Sequence, residues 1–135
     1  MLTRRGFAGC ALCALTGFVA TAAEGQSGNT TPGLKRAILS RIDGPMAGYE
    51  TVTASVELEP GAAVARHTHP GIESGYVIEG ETTLSIDGQP PKTMTAGQAF
   101  QVPTGVPHSA TNGGKPTKLE STYVVEKGKP LASPA

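Results

Sequence analysis

Residues 61–80 read GAAVARHTHPGIESGYVIEG. Within them His67 and His69 flank a single residue, and Glu73 stands four positions after His69. Alternate side chains of a β-strand share a face, so the two imidazoles are expected to project side by side. Pro70 and Gly71 then break the strand, and a return strand beginning near Glu73 brings its carboxylate back to the same face. The remaining histidine of the chain, His108, stands in a second stretch, GQAFQVPTGVPHSATN, over residues 97–112. Three imidazoles and one carboxylate form a donor set for one divalent Fe, Mn, Zn, Ni or Cu ion. Two histidines plus a carboxylate with open positions is the facial arrangement of non-haem Fe(II) oxygenases. The H-x-H pair alone is weak evidence, because a lone histidine is more often a core or surface residue.

The spacing around the pair strengthens it. Gly61 precedes His67 by six positions and Gly80 follows Glu73 by seven. In the second stretch Gly97, Pro103, Gly105, His108 and Asn112 fall in the order G-x5-P-x-G-x2-H-x3-N. Together with G-x5-H-x-H-x3-E-x6-G, this resembles the paired motifs of the cupin superfamily with no departure at a defining position. The type it is most similar to is the small, single-domain, quercetin dioxygenase-like cupin. The resemblance implies a β-barrel in which His67, His69, Glu73 and His108 ligate one metal, and it makes homodimerisation the default expectation. There is one motif pair, so one barrel is expected. Gly61, Gly80, Gly97 and Gly105 are expected at turns, with Pro103, Pro107 and Asn112 shaping the loop that presents His108.

The rest of the chain agrees with an all-β fold. Residues 51–59 alternate, with Val52, Ala54, Val56 and Leu58 on one face and Thr53, Ser55, Glu57 and Glu59 on the other, the pattern of a half-buried strand. Further strands are expected over 34–42, 64–69, 76–79, 82–86, 92–94, 99–102 and 117–126, the last with Leu119, Tyr123 and Val125 in period two. Asp87 and Gly88 mark a hairpin. No segment sustains a helical period, so many short strands with Gly and Pro turns argue for a double-stranded β-helix, or jelly-roll barrel.

The first residues carry a different signal. Arg4 and Arg5 precede Phe7, a short apolar run from Ala8 to Ala20, and Ala20, Thr21, Ala22, Ala23, which reads as a twin-arginine-type signal peptide over 1–22. The run is too short to span a bilayer, which needs about 20 apolar residues. The mature protein is therefore expected to be bacterial and periplasmic or secreted, with no membrane attachment after cleavage. Residues 23–33 form a polar, flexible lead-in, 34–128 the barrel and 129–135 a C-terminal tail. Cys10 and Cys13 both lie in the signal, so the mature chain has no disulfide and no thiolate ligand. The whole chain balances 11 basic against 11 acidic residues, and loss of Arg4 and Arg5 tips it slightly acidic. This gives no basic patch for nucleic acid.

The partner expected is a small-molecule substrate. Four protein ligands on a metal that accepts five or six leave positions for water, dioxygen or a substrate oxygen pair. The activity implied is that of a dioxygenase-type oxidoreductase on a small oxygenated organic compound, in which Glu73 leaves the metal to act as base. The same ligands serve a lyase or isomerase on sugar acids or hydroxy-carbonyl compounds, or a non-catalytic metal- or ligand-binding module, because fold does not fix function. Gln101, opposite in parity to Phe100 and Val102, and Tyr76 are the candidate substrate-binding residues, and Arg66 is expected to face solvent.

Overall fold

A computed structural model describes residues 31–135; the signal-type segment 1–22 and most of the 23–33 lead-in lie outside the described residues. Ten strands follow in order: β1 (Leu34–Asp43), β2 (Tyr49–Leu58), β3 (Ala63–Thr68), β4 (Gly71–Glu79), β5 (Glu81–Ile86), β6 (Lys92–Thr95), β7 (Ala99–Val102), β8 (His108–Asn112), β9 (Thr117–Glu126) and β10 (Ser133–Pro134). No helix occurs among the described residues. The strands pair antiparallel into two five-stranded sheets, ordered β1-β2-β9-β4-β7 and β10-β3-β8-β5-β6. This is the expected jelly roll.

Apolar residues on the facing sides of the sheets build the core. Val52, Ala54, Val56 and Leu58 of β2 are all buried, as are Leu119, Tyr123 and Val125 of β9. The two strands pair along their whole length, Tyr49 opposite Glu126 through Leu58 opposite Thr117. Each alternating row therefore meets a matching row on its neighbour. Val77, Leu84 and Met94 close the far side.

Two details differ from the sequence reading and one agrees with it. The return strand after Pro70 begins at Gly71, two residues ahead of Glu73, where Gly71 pairs with Val125 of β9 so closely that a Cβ would stand 2.0 Å from the Val124 carbonyl oxygen. The β5–β6 connection follows the expectation, with its turn at Asp87 and Gly88; Pro90 and Pro91 have no N–H to donate, so pairing resumes at Lys92 opposite Leu84. Residues 129–135 are no loose tail. Leu131 packs against Val52, Ala54, Tyr123 and Val125, and β10 pairs with β3, Ser133 opposite Thr68 and Pro134 opposite His67. A short apolar anchor among Gly, Pro and Ser shows no period, so the sequence pattern did not reveal it.

Candidate metal centre

Sheet pairing brings the four expected donors together from three places in the chain. His67 on β3 lies directly opposite His108 at the start of β8. His69 follows β3 by one residue, and its ring centroid is 4.9 Å from that of His67 and 5.0 Å from that of His108. Glu73, from β4 of the opposite sheet, closes the group, its Oε2 standing 3.2 Å from both His69 Nε2 and His108 Nε2. One ligand nitrogen from each of the three histidines lies within 4.8 Å of the others. His69, Glu73 and His108 are buried, while His67 is half-buried and opens the group toward a cavity.

The hydrogen bonds determine which nitrogens point inward. Nδ1 of His67 lies 2.8 Å from the Ala65 carbonyl, Nδ1 of His69 2.5 Å from the Leu131 carbonyl, and Nδ1 of His108 3.1 Å from the Val106 carbonyl. A carbonyl only accepts, so each Nδ1 carries the proton and donates it, and each neutral ring presents its Nε2 lone pair. Nε2 of His69 and of His108 is buried without a hydrogen-bond donor among the described residues. The atom beside each is a carboxylate oxygen, which is also an acceptor. Lone pairs converging on lone pairs repel unless a cation lies among them, and Nδ1–H bonded to backbone carbonyl is how metal-ligating histidines are usually oriented. The residues fit a divalent metal.

Ionisation supports the same arrangement. Burial pushes the His67 pKa down to about 4, leaving the ring neutral near pH 7. Burial works against a charge on Glu73; hydrogen bonds from the His108 and His69 rings pull its carboxyl below the usual range where their Nε2 atoms carry a proton, and a cation takes that place where Nε2 is bare. Neutral imidazoles with an ionised carboxylate are the forms a metal ion binds.

A cavity of about 50 Å³ adjoins the centre, with His67, Glu73 and His108 in its wall. The motif positions around it brace the ligands. Asn112 is buried and its Nδ2 lies 3.2, 2.8 and 2.9 Å from the carbonyls of Leu58, Glu59 and Lys115, tying the end of β8 to the β2–β3 turn. Gly105, at φ 71°, donates its N–H to the His69 carbonyl at 3.1 Å, joining the two histidine segments; positive φ there is costly for other residues.

The cupin domain model matches residues 54–126, more than half of the sequence. The chain belongs to the cupin family. Among curated proteins it is 44% identical over 55 residues to the HTH-type transcriptional regulator PuuR of Escherichia coli, covering 40% of this chain and 29% of that one. It is 31% identical over 103 residues to a germin-like protein of Morus alba, covering 70% of this chain and 49% of that one. The chain thus spans half or less of these relatives. Among solved structures, the DMSP lyase DddQ of Ruegeria pomeroyi superposes with a TM-score of 0.65 at 18% identity, covering 76% of this cupin and 51% of that chain; this likeness concerns the fold.

The two candidate substrate residues lie elsewhere. Phe100 and Val102 face the interior of this cupin, so Gln101 faces out, exposed, its Nε2 3.3 Å from Ser74 Oγ. Tyr76 is exposed on the same outer face, three positions and one parity step from Glu73, and with Gln101 lines an outer groove instead of the cavity. Arg66 is exposed and paired with Asp87, as its parity suggested. The sequence reading missed Ser121 and Tyr123, which line the cavity from β9, with the Tyr123 ring 4.9 Å from that of His69. Their signal was present: Ser121 is the polar member of the inward row Leu119, Ser121, Tyr123, Val125. Burial, with the Glu73 charge, pushes the Tyr123 phenol far up and keeps it protonated.

Proposed function

We propose that this cupin is an exported metal-dependent oxidoreductase of the dioxygenase type, acting on a small oxygenated organic substrate. One observation carries the reading: the Nε2 atoms of His69 and His108 and the Glu73 carboxylate converge without a donor between them, beside a cavity that His67, Glu73 and His108 all line. The chemistry a bound ion supplies there is Lewis acidity and, for a redox-active metal, electron exchange with dioxygen. The three backbone-anchored imidazoles hold the ion. Glu73 is the only acid among the described residues of the cavity wall, so it is the group to which we assign proton transfer with the substrate. Export rests on Arg4, Arg5 and the apolar run of residues 1–22.

The same base and ligands serve a lyase or isomerase on hydroxy-carbonyl compounds, and dioxygen separates the two readings. Fe(II)-loaded protein, offered small enols, catechols, diketones and hydroxy acids, is expected to consume oxygen with at least one of them, and His67→Ala and His108→Ala to abolish the uptake. Turnover that proceeds equally without oxygen and with Zn or Mn would replace the oxidative reading with the second one.

A further inference from the structure

Tyr123 stands among three parts of the centre. On β9 it is the register partner of Glu73 on β4, with Val52 of β2 on its other side. Residues directly opposite in an antiparallel pair share a face, their Cβ atoms about 4.5–5.5 Å apart, so the phenol ring and the carboxylate enter the barrel side by side. Both are buried, and both line the cavity. The Tyr123 ring lies 4.9 Å from that of His69, at 60° to it. Leu131, whose carbonyl accepts the His69 proton, packs in the same apolar cluster as Tyr123. Packing on these sides holds the ring, and with it the position of the hydroxyl.

That hydroxyl is the unexpected atom. Val52, Ala54, Leu119 and Val125 around it in the inward rows are apolar, and phenylalanine would bury the same ring without taking a polar group out of water. The Tyr123 hydroxyl hydrogen-bonds the Glu73 carboxylate, and the Ser121 hydroxyl stands beside both. A carboxylate only accepts, so the phenol is the donor. The last torsion of a glutamate is broad and turns easily, whereas Glu73 has to keep Oε2 on the histidines, 3.2 Å from the Nε2 atoms of His69 and His108. A donor fixed on the rigid inner face of β9 removes that freedom.

We infer that Tyr123 is a positioning residue of the centre, its hydroxyl fixing the rotation of the Glu73 carboxylate so that one oxygen stays directed to the three histidines. Hydrogen-bond partners of ligating side chains act on metal affinity in this way, typically by 10–100-fold. The inference rests on the metal-centre reading above, and its test separates the two.

Zinc affinity of the full chain, measured at constant pH by competition with a chelator, is expected to fall about tenfold or more in Tyr123→Phe. In a Glu73→Ala background no carboxylate remains to be aimed, and the same substitution is expected to change the affinity by no more than about threefold. The visible absorption of cobalt-substituted protein, which reports the arrangement of the donors, is expected to change on Tyr123→Phe with Glu73 present and to stay the same without it. Equal losses in both backgrounds would assign Tyr123 to packing alone, and no loss in either would leave it without a part in the centre; both results overturn the inference. Ser121→Ala, which removes the hydroxyl beside the pair, is expected to show the same dependence on Glu73 at smaller size, and an effect blind to Glu73 counts against the assignment even if the phenylalanine variant does not fold. Melting of metal-free protein tests the contact without the ion: loss of the Tyr123 hydroxyl is expected to lower the melting temperature more with Glu73 present than in Glu73→Ala. Zinc content equal in wild type and His67→Ala sinks the metal-centre reading, while the metal-free comparison still decides whether Tyr123 holds Glu73.

Discussion

The imidazole of His67 meets opposed demands, since it must stay neutral to offer Nε2 yet sits partly open to the cavity. Burial lowers its pKa from 6.5 to about 4. Between those values the unfolded chain binds a proton that the folded chain does not, so stability rises with pH across this window and is lost as pH falls through it. A shift of this size in a fully buried group would be worth about 3 kcal/mol; the solvated edge of the ring reduces it to about 1–2 kcal/mol. Metal-stripped protein is therefore expected to melt several degrees lower at pH 4.5 than at pH 6.5, and His67→Gln to show a shallower slope in that interval. Equal slopes would show that His67 is not the group responsible. Asn112 makes a complementary case, because its amide donates toward three carbonyls. Asn112→Asp turns donors into acceptors facing those oxygens, and chemical denaturation is expected to show a loss of about 2–3 kcal/mol or more, with weaker metal retention because the end of β8 moves with His108.

At the scale of the elements, the readable and unreadable parts divide on a physical line. Strands β2 and β9 were plain because a sheet with one buried face imposes strict alternation, and the turn glycines at 61, 80, 97 and 105 do adopt positive φ, between 71° and 87°. In β7 the parity of Gln101 against Phe100 and Val102 was right, but which side faced inward was not. A metal cavity admits polar residues, so polarity no longer tells inside from outside, and the apolar pair took the core. Leu131 escaped because a single anchor has no period. Its carbonyl accepts the His69 Nδ1–H while its side chain fills the core, and two changes separate these roles. Leu131→Ala keeps the carbonyl and is expected to cost about 2–3 kcal/mol of stability with metal affinity nearly intact. Removal of residues 130–135 also takes away the acceptor, and metal affinity measured by competition with a chelator is expected to fall by about 10–100-fold. An equal affinity loss in both variants would mean that packing, not the hydrogen bond, orients His69.

For the whole molecule, the centre joins the two sheets: His67 and His108 come from β3 and β8 of one sheet, His69 from the residue just after β3, and Glu73 from β4 of the other. The described residues hold no cysteine to serve this purpose by a disulfide, since the two of the chain, Cys10 and Cys13, both precede the barrel. An ion held at this centre would bind the folded state and have no comparable site in the unfolded chain, so it would stabilise by mass action. At 100 times the dissociation constant the gain is about 2.7 kcal/mol, which for a domain of this size corresponds to roughly 10–20 °C in melting temperature. Chelation is expected to lower the melting temperature by that order, and readdition of Zn, Mn or Fe(II) to restore it with a rise that follows the logarithm of free metal. Glu73→Gln severs the link between the sheets while leaving the three imidazoles, so its melting curve is expected to respond to metal only at higher concentrations, whereas His108→Ala, which also removes a ring anchored to the Val106 carbonyl, is expected to respond least. A wild-type melting temperature indifferent to chelator and to all three metals would contradict a four-donor site that bridges the sheets.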